Sequence, residues 1–449
     1  VQAGAIGGPA QPPGRPRRDP AWPTYFAAQA RHDLTGILRW VAGAVGGAWV
    51  FCLRLAVRVP LAAWLLVWPV APAVLAFLVT LTIGALAGAL VCAALVAGVT
   101  AVAWLAGGAL AGVLRGGDAL WQRVFLAAAS CPRCYYVTRL PAYRCVCLEL
   151  HRDIRPGKLG VLWRRCGCDR LLPTTVLRAS RLLEPVCQRC GTGLHAGAAV
   201  ATDVRIPVFG ATMAGKTRLI AAGLVLLKET TGERAFFADR GSEKTYLEHK
   251  ADFDGGRPVP KTARGSPIAT TLGLDTGRRH ALVHIFDAAG ELLVTPGENA
   301  QLSYLDQART LMFVLDPFSV PDVRDRLTGP LDATLIEANA SPHDAEASYN
   351  ATVQRLRAAG VDTRRRRLAF VISKADLLQR LPGGLGLRVE ADPAVWLHAR
   401  GLDNLLLSAR RDFGHVRVFV VSSMTRTPDG AGTALEPLRW LLAGEGITV

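Results

Sequence analysis

Across residues 59–114 the chain carries no Asp, Glu, Lys or Arg, a run of 56 uncharged positions. One helix of about 20 apolar residues crosses a bilayer, so a run more than twice that length excludes a wholly soluble single-domain protein. Histidine is missing from the same stretch. Without an ionisable side chain it offers no ligand for a proton relay or an ion pathway, and anchoring or passive packing remains. Composition excludes other extremes: half of the 449 residues are apolar and a fifth charged, unlike a mainly disordered or collagen-like chain. Lysine is scarce, 7 against 45 Arg, a bias that reads as GC-rich coding rather than a chosen chemistry. No signal peptide is expected, because the first long apolar run starts late and no cleavage pattern comes after a short hydrophobic core.

What charge there is lies unevenly. Residues 1–130 hold nine Lys and Arg against three Asp and Glu, residues 131–200 twelve against four, and residues 201–449 thirty-one against twenty-nine. An excess confined to the apolar flanks and the next segment fits anionic headgroups on a cytoplasmic membrane face and argues against nucleic acid as the partner. Residues 1–32 read as a disordered basic tail, rich in Gly, Pro and Ala with Arg15, Arg17 and Arg18. Residues 33–58, with Arg39, Arg54 and Arg58 around an apolar centre, read as an interfacial amphipathic helix, with a weak first span as the alternative. The uncharged run, residues 59–115, is expected to hold two transmembrane helices, 61–83 and 86–114, turning at Gly84. Two spans return the chain to its starting side, and the positive-inside rule places the domain C-terminal to them in the cytoplasm.

Eight of the ten cysteines fall between residues 131 and 190: Cys131 and Cys134, Cys145 and Cys147, Cys166 and Cys168, Cys187 and Cys190. Close pairs next to a nucleotide-binding motif favour a reducing compartment and metal thiolates over disulfides. Eight thiolates make two tetrahedral four-cysteine Zn²⁺ sites, closed and therefore structural, in a small zinc-ribbon-like module over 131–195. Pairing in sequence order needs the least chain closure, but a crossed pairing is open. His151 and His195 stand nearby either as spare ligands or as ordinary histidines. Cys52 and Cys92 read as packed thiols within apolar helices.

An apolar run over 204–209 ends in Gly210-Ala211-Thr212-Met213-Ala214-Gly215-Lys216-Thr217, and a helical pattern begins at once after it. Strand, glycine loop and helix are the context of a phosphate-binding loop, whose N–H groups face the phosphates while Lys216 reaches the β and γ groups and Thr217 gives its hydroxyl to Mg²⁺. A second strand, 280–286, runs into Asp287-Ala288-Ala289-Gly290, where Asp287 would hold Mg²⁺ through water and Gly290 meet the γ-phosphate. A third, 368–372, ends in Ser373-Lys374-Ala375-Asp376. A carboxylate there accepts two hydrogen bonds from a guanine edge, and adenine offers no such pattern. Further strands are expected at 268–275, 310–315 and 417–421.

The order of these motifs resembles the GTPases of the TRAFAC class, with Ser422, Ser423 and Met424 in the place of the final base-contacting loop. The resemblance covers 203–445 and implies a doubly wound α/β P-loop NTPase domain, extending over 203–449, that binds GTP and Mg²⁺. Ser373 departs from the usual Asn or Thr. Glu291 stands where Ras-like members carry a water-positioning Gln, which implies slow intrinsic hydrolysis. Thr270 and Thr271, ahead of Thr262, are the candidates for the switch threonine, and Thr271 takes that place. The whole layout resembles membrane-tethered bacterial proteins of the double-GTPase type, for which a role in multi-component conflict or defence systems has been proposed; it implies a membrane-anchored GTP switch with a protein effector or a second GTPase chain as partner. A non-hydrolysing nucleotide-dependent scaffold and a P-loop ATPase are the rival readings. Oligomeric state is not readable from the sequence.

Overall fold

The computed structural model describes residues 22–60, 63–64, 67–134, 136–157, 159–256, 268–277, 280–287, 303–327, 332–382, 384–428 and 430–449. It begins with two long helices, α1 (Trp22–Arg58) and α2 (Ala71–Val124). The break between them coincides with Pro60, Pro69 and Pro72, residues that cannot supply the amide hydrogen a helix interior needs. The expected turn at Gly84 is not there. One glycine costs a helix only about 1 kcal/mol relative to alanine, and α2 runs through it without interruption. The two spans expected inside 59–115 are thus replaced by the single helix α2, and residues 33–58 fall within α1; Gln29–Arg58 and Ala71–Val124 are each long and apolar enough to cross a membrane. They are joined by a hydrogen bond from Trp49 Nε1 to Thr82 Oγ1 (3.0 Å), whose hydroxyl in turn donates to Leu78 O. The expected basic tail shortens too, since helix begins at Trp22; residues 1–21 lie outside the described residues.

The cysteine-rich segment folds into short antiparallel strands: β1 (Ala129–Ser130) with β2 (Val137–Thr138), β3 (Ala142–Arg144) with β4 (Leu150–His151) and β7 (Glu184–Val186), and β5 (Trp163–Arg165) with β6 (Leu171–Pro173). The chain divides into two compact units. One comprises residues 1–120 with 145–149 and 154–179; the other comprises 121–144, 150–153 and 180–449.

The second unit holds the main sheet, built from β8 (Thr202–Gly210), β9 (Ala235–Phe237), β10 (Ile268–Asp275), β11 (His280–Asp287), β12 (Thr310–Leu315), β13 (Arg367–Ile372) and β14 (His415–Val420). Their order is β14-β13-β12-β8-β11-β10-β9, parallel except for β10. All six expected strands are present, and β9 is added at one edge. Continuous apolar runs such as Leu311 to Leu315 arise because both faces are covered. Leu311, Phe313 and Leu315 enter one core with Tyr349 and Leu356, while Met312 and Val314 enter the other with Leu219, Leu224 and Leu438.

Parallel register puts the carboxyl ends of β8, β11, β12, β13 and β14 along one edge, and the chain order reverses on either side of β8. Ligands of open α/β sheets bind at such a switch point. Phe313 anchors the core beneath it, with ring centroids 5.3 Å from Phe209, 5.1 Å from Phe370 and 5.4 Å from Tyr349. Phe313→Ala is expected to destabilise the sheet by about 3–5 kcal/mol, read as a lowered denaturation midpoint of the full chain in detergent; an unchanged midpoint would contradict this core.

Candidate functional site

The glycine loop leaves β8 at Gly210, whose φ is 146°, and an added Cβ would lie 2.3 Å from Val314 O. No other residue permits that approach between neighbouring strands. Met213 and Gly215 also adopt positive φ. These turns lead into helix α4 (Lys216–Thr231), so its first amide groups open toward the loop; the shorter α3 (Val176–Leu182) precedes it in the cysteine-rich segment. Lys216 is buried, and its Nζ donates to Gly210 O (3.0 Å) and Ala211 O (2.7 Å). Burial pushes its ammonium down to about 8, a cation held without a full countercharge.

Thr217 Oγ1 donates to Asp287 Oδ2 at 2.7 Å. Two residues 70 positions apart in sequence thus meet where a hard cation would need a hydroxyl and a carboxylate. Gly290 and Glu291 lie outside the described residues, as does Thr262.

The third expected motif converges on the same loop from the far side. Ser373 Oγ donates to Ala214 O (2.8 Å), tying β13 to the loop. Lys374 takes a left-handed backbone (φ 56°), and its Nζ is 2.7 Å from Asp316 Oδ2. Asp376 Oδ1 accepts from Ser422 Oγ (3.0 Å), and the same hydroxyl accepts from Met424 N (3.1 Å). Ser423 is half-buried beside them, Met424 is exposed, and Thr212 is half-buried in the loop. Sequence patterning marks Asp316 only as the start of a loop. It is fully buried, and besides Lys374 it accepts from Phe318 N and Ser341 N.

Thr271 departs from expectation. It sits within β10 opposite His284, fully buried, with its amide donating to Ser242 Oγ (2.9 Å) and its hydroxyl 2.8 Å from His284 Nδ1. The hydroxyl expected to close over a metal is engaged inside the sheet in this conformation. The network continues: His284 Nε2 lies 3.2 Å from Asp203 Oδ1, and Asp203 Oδ2 accepts from Ser130 Oγ (2.7 Å) and Arg205 (2.9 Å). Burial alone would push the Asp203 carboxyl up, but Arg205, His284 and Ser130 together hold it well below the usual carboxylate range. His195 stacks on His284 (5.6 Å between centroids), and burial, aided by that neighbour, pushes it down to about 4, leaving it neutral at pH 7. His195 is therefore a core histidine in this network. No sequence signal marks these contacts, since most of the partners are distant along the chain.

The cysteines form two clusters, in each of which the sulfurs lie within 4.8 Å of one another: Cys131, Cys134, Cys187 and Cys190, and Cys145, Cys147, Cys166 and Cys168. Neither uses the pairing in sequence order. The outer pairs meet each other and the inner pairs meet each other, because β3 lies between β4 and β7 and draws residue 144 to residue 184. Sulfur separations of 3.5–3.7 Å match the roughly 3.8 Å edge of a tetrahedron with 2.3 Å metal–sulfur bonds. Cys131→Ser together with Cys187→Ser is expected to remove one bound metal and leave the other, measured by elemental analysis of the purified chain. Loss of both metals would restore pairing in sequence order.

No curated protein matches the chain. A family profile described as Double-GTPase 2 matches residues 204–439, more than half of the chain. The match spans the loop at Gly210, the Thr217–Asp287 contact and the Ser373–Asp376 turn, and on that extent the chain belongs to the Double-GTPase 2 family.

Proposed function

We propose that this chain is a membrane-anchored GTP-binding switch protein with slow intrinsic hydrolysis. Family membership supports GTP binding and GTPase activity at the coarse level. The observation that carries the finer reading is the convergence of two contacts on opposite sides of one loop: Thr217 on Asp287, and Ser373 on Ala214 beside the Asp376–Ser422 pair. The first pair offers oxygen ligands to a divalent cation. The second offers a carboxylate that accepts from the N1–H and amino group of guanine.

In this reading the loop amides and the start of α4 receive the phosphate oxygens, and Lys216 exchanges the carbonyls of Gly210 and Ala211 for the β- and γ-phosphates. Thr217 and Asp287 fit Mg²⁺, which when bound neutralises charge on those phosphates. Lys374, fixed by Asp316, lays its stem along the base, and Asp376 turns from Ser422 to the guanine edge. Glu291 follows Gly290 in the sequence, at the position where Ras-like members carry a water-positioning Gln, which supports slow turnover. Both cysteine clusters fit Zn²⁺ by donor type and spacing and serve as structural staples.

β11 carries Asp287 at its end and His284, which meets Thr271 and Asp203, three residues earlier, and in this reading the change of nucleotide state begins at that strand end. The resemblance to double-GTPase-type proteins supports a protein effector or a second GTPase chain as the reader of that change, within a conflict or defence system. Anchoring is supported by the two apolar helices, and a cytoplasmic site by the close, metal-spaced pairing of eight cysteines in the sequence, a usage typical of reducing compartments.

Competition binding is expected to favour GTP over ATP. Asp376→Asn should weaken GTP by about 10²–10⁴-fold, the worth of two hydrogen bonds to a charged acceptor, while improving xanthosine triphosphate. An unchanged preference in the variant would overturn the guanine contact.

A further inference from the structure

The cysteine cluster formed by Cys145, Cys147, Cys166 and Cys168 belongs to the same compact unit as the long helices. It is fastened to the end of α2. Arg115 Nε donates to Pro156 O (2.6 Å), and the buried Asp118 accepts from Val176 N (2.8 Å) through Oδ2. Arg115 is also the first charged residue after the 56 uncharged ones. Up to that point α2 presents apolar side chains outward, with Val113 71% and Leu110 45% exposed. A surface of that kind needs lipid around it as far as residue 114.

The turns between the sulfurs carry apolar tips. Val146 is 72% and Leu148 79% exposed, and Leu162, Trp163 and Leu171 are exposed alongside them. Leu148 also holds a left-handed backbone, φ 66°, while the matching position of the facing turn is Asp169 at φ 64°. Asp tolerates that conformation and a bulky apolar residue does not favour it. Neither local backbone preference nor burial accounts for leucine there.

Charge supplies the second argument. Over 145–149 and 154–179 there are six Lys and Arg against two Asp and Glu, and four thiolates around one divalent metal subtract a further two, so the balance stays near +2. Arg155, Arg165, Arg170 and Arg178 are exposed, and Arg178 lies over the Trp163 ring at 5.8 Å. Apolar tips ringed by arginine, on a module pinned to the residue where an uncharged helix ends, complement an anionic bilayer surface: hydrocarbon for the tips, phosphate and carboxylate for the guanidinium groups.

We propose that this cluster is a membrane-interface contact, in which Val146, Leu148 and Leu171 enter the headgroup layer of an anionic phospholipid bilayer and Arg165, Arg170 and Arg178 pair with its phosphates. The proposal rests on the anchored reading above. It gives the metal a task beyond folding, since closing the thiolates presents the tips as one rigid patch.

The test uses the full chain in vesicles of phosphatidylcholine with about one-third phosphatidylserine, the latter carrying a photoreactive diazirine close to the headgroup. After illumination, adducts are mapped by mass spectrometry. Adducts are expected on residues 145–171 as well as on α1 and α2. Val146→Asp with Leu148→Asp should lower those on 145–171 roughly tenfold while metal content and GTP binding hold. Arg165→Glu with Arg170→Glu should abolish their dependence on phosphatidylserine, and this pair decides the matter should the first variant lose metal. Labelled helices with an unlabelled 145–171 segment would overturn this inference alone. Helices that gather no lipid would overturn the anchored reading with it. Cross-links joining 145–171 to a second chain in place of lipid would also overturn it.

Discussion

The close passage of β8 beside β12 at Gly210 is the constraint on which the site depends. Only with no side chain at that position can the loop leave the sheet against Val314 and turn back through Met213 and Gly215 to start α4. That path buries Lys216 among carbonyls and aims Thr217 at the end of β11. The parallel register completes the arrangement. Because β11, β12 and β13 all end on the same edge as β8, Asp287, Asp316 and Ser373 arrive around the loop from three separate strands without any long-range guidance beyond strand pairing.

The buried polar groups near this edge are expensive unless paired, and nearly all of the pairing is between residues far apart in sequence. Asp316 is the clearest case. Its two oxygens satisfy Phe318 N, Ser341 N and Lys374, so one carboxylate closes the loop after β12, holds Ser341 to it and orients Lys374 in the turn after β13. Asp203 has the same character at the opposite end of β8, where it meets Ser130, Arg205 and His284. The residue before Cys131 is thereby tied, through His284, to the strand that ends at Asp287.

How much of this is legible in the sequence depends on the range over which the signal acts. The strands at 204–209, 280–286, 310–315 and 368–372 are legible because double-sided burial leaves unbroken apolar runs, and Lys216, Thr217, Asp287 and Asp376 because their spacing from strand ends is a local property. β9 is not, having only three residues at a sheet edge. A turn at Gly84 is the wrong expectation because composition reports how much apolar length exists, not how it is divided; three prolines between 60 and 72 are the better punctuation. Position between motifs singles out Thr271, whereas its partners, His284 and Ser242, are set by strand register and by a neighbouring helix (Arg240–Asp254). Cysteine pairing in sequence order fails for a related reason. Short loops minimise closure entropy, but the β3–β7 ladder overrides that small term by bringing the ends of the segment together.

The nested pairing also decides what a metal at each cluster would stabilise. The inner cluster is an insertion within the loop that the outer cluster closes, so the two metal-spaced sites fall in different compact units, one with the helices and the other with the sheet. Outer sulfurs in contact are 53 and 59 residues apart, inner ones 19 and 23. Closing the longer loop costs only slightly more, because the entropy grows with the logarithm of length, and the β3–β7 ladder offsets it. Metal binding energy is folding energy where the site does not exist in the unfolded chain. A metal at the outer cluster would therefore stabilise that ladder and, through Cys131 directly after Ser130, the same residues that hold Asp203 at the start of β8. The inner cluster touches the same ladder only through Cys145, directly after β3. Its span contains the β5–β6 hairpin, and its nearest fastenings are Arg115 and Asp118 at the end of α2. Two clusters with the same ligand set thus have different neighbours, the outer one the residues that meet the start of β8 and the inner one the helix that ends the uncharged run.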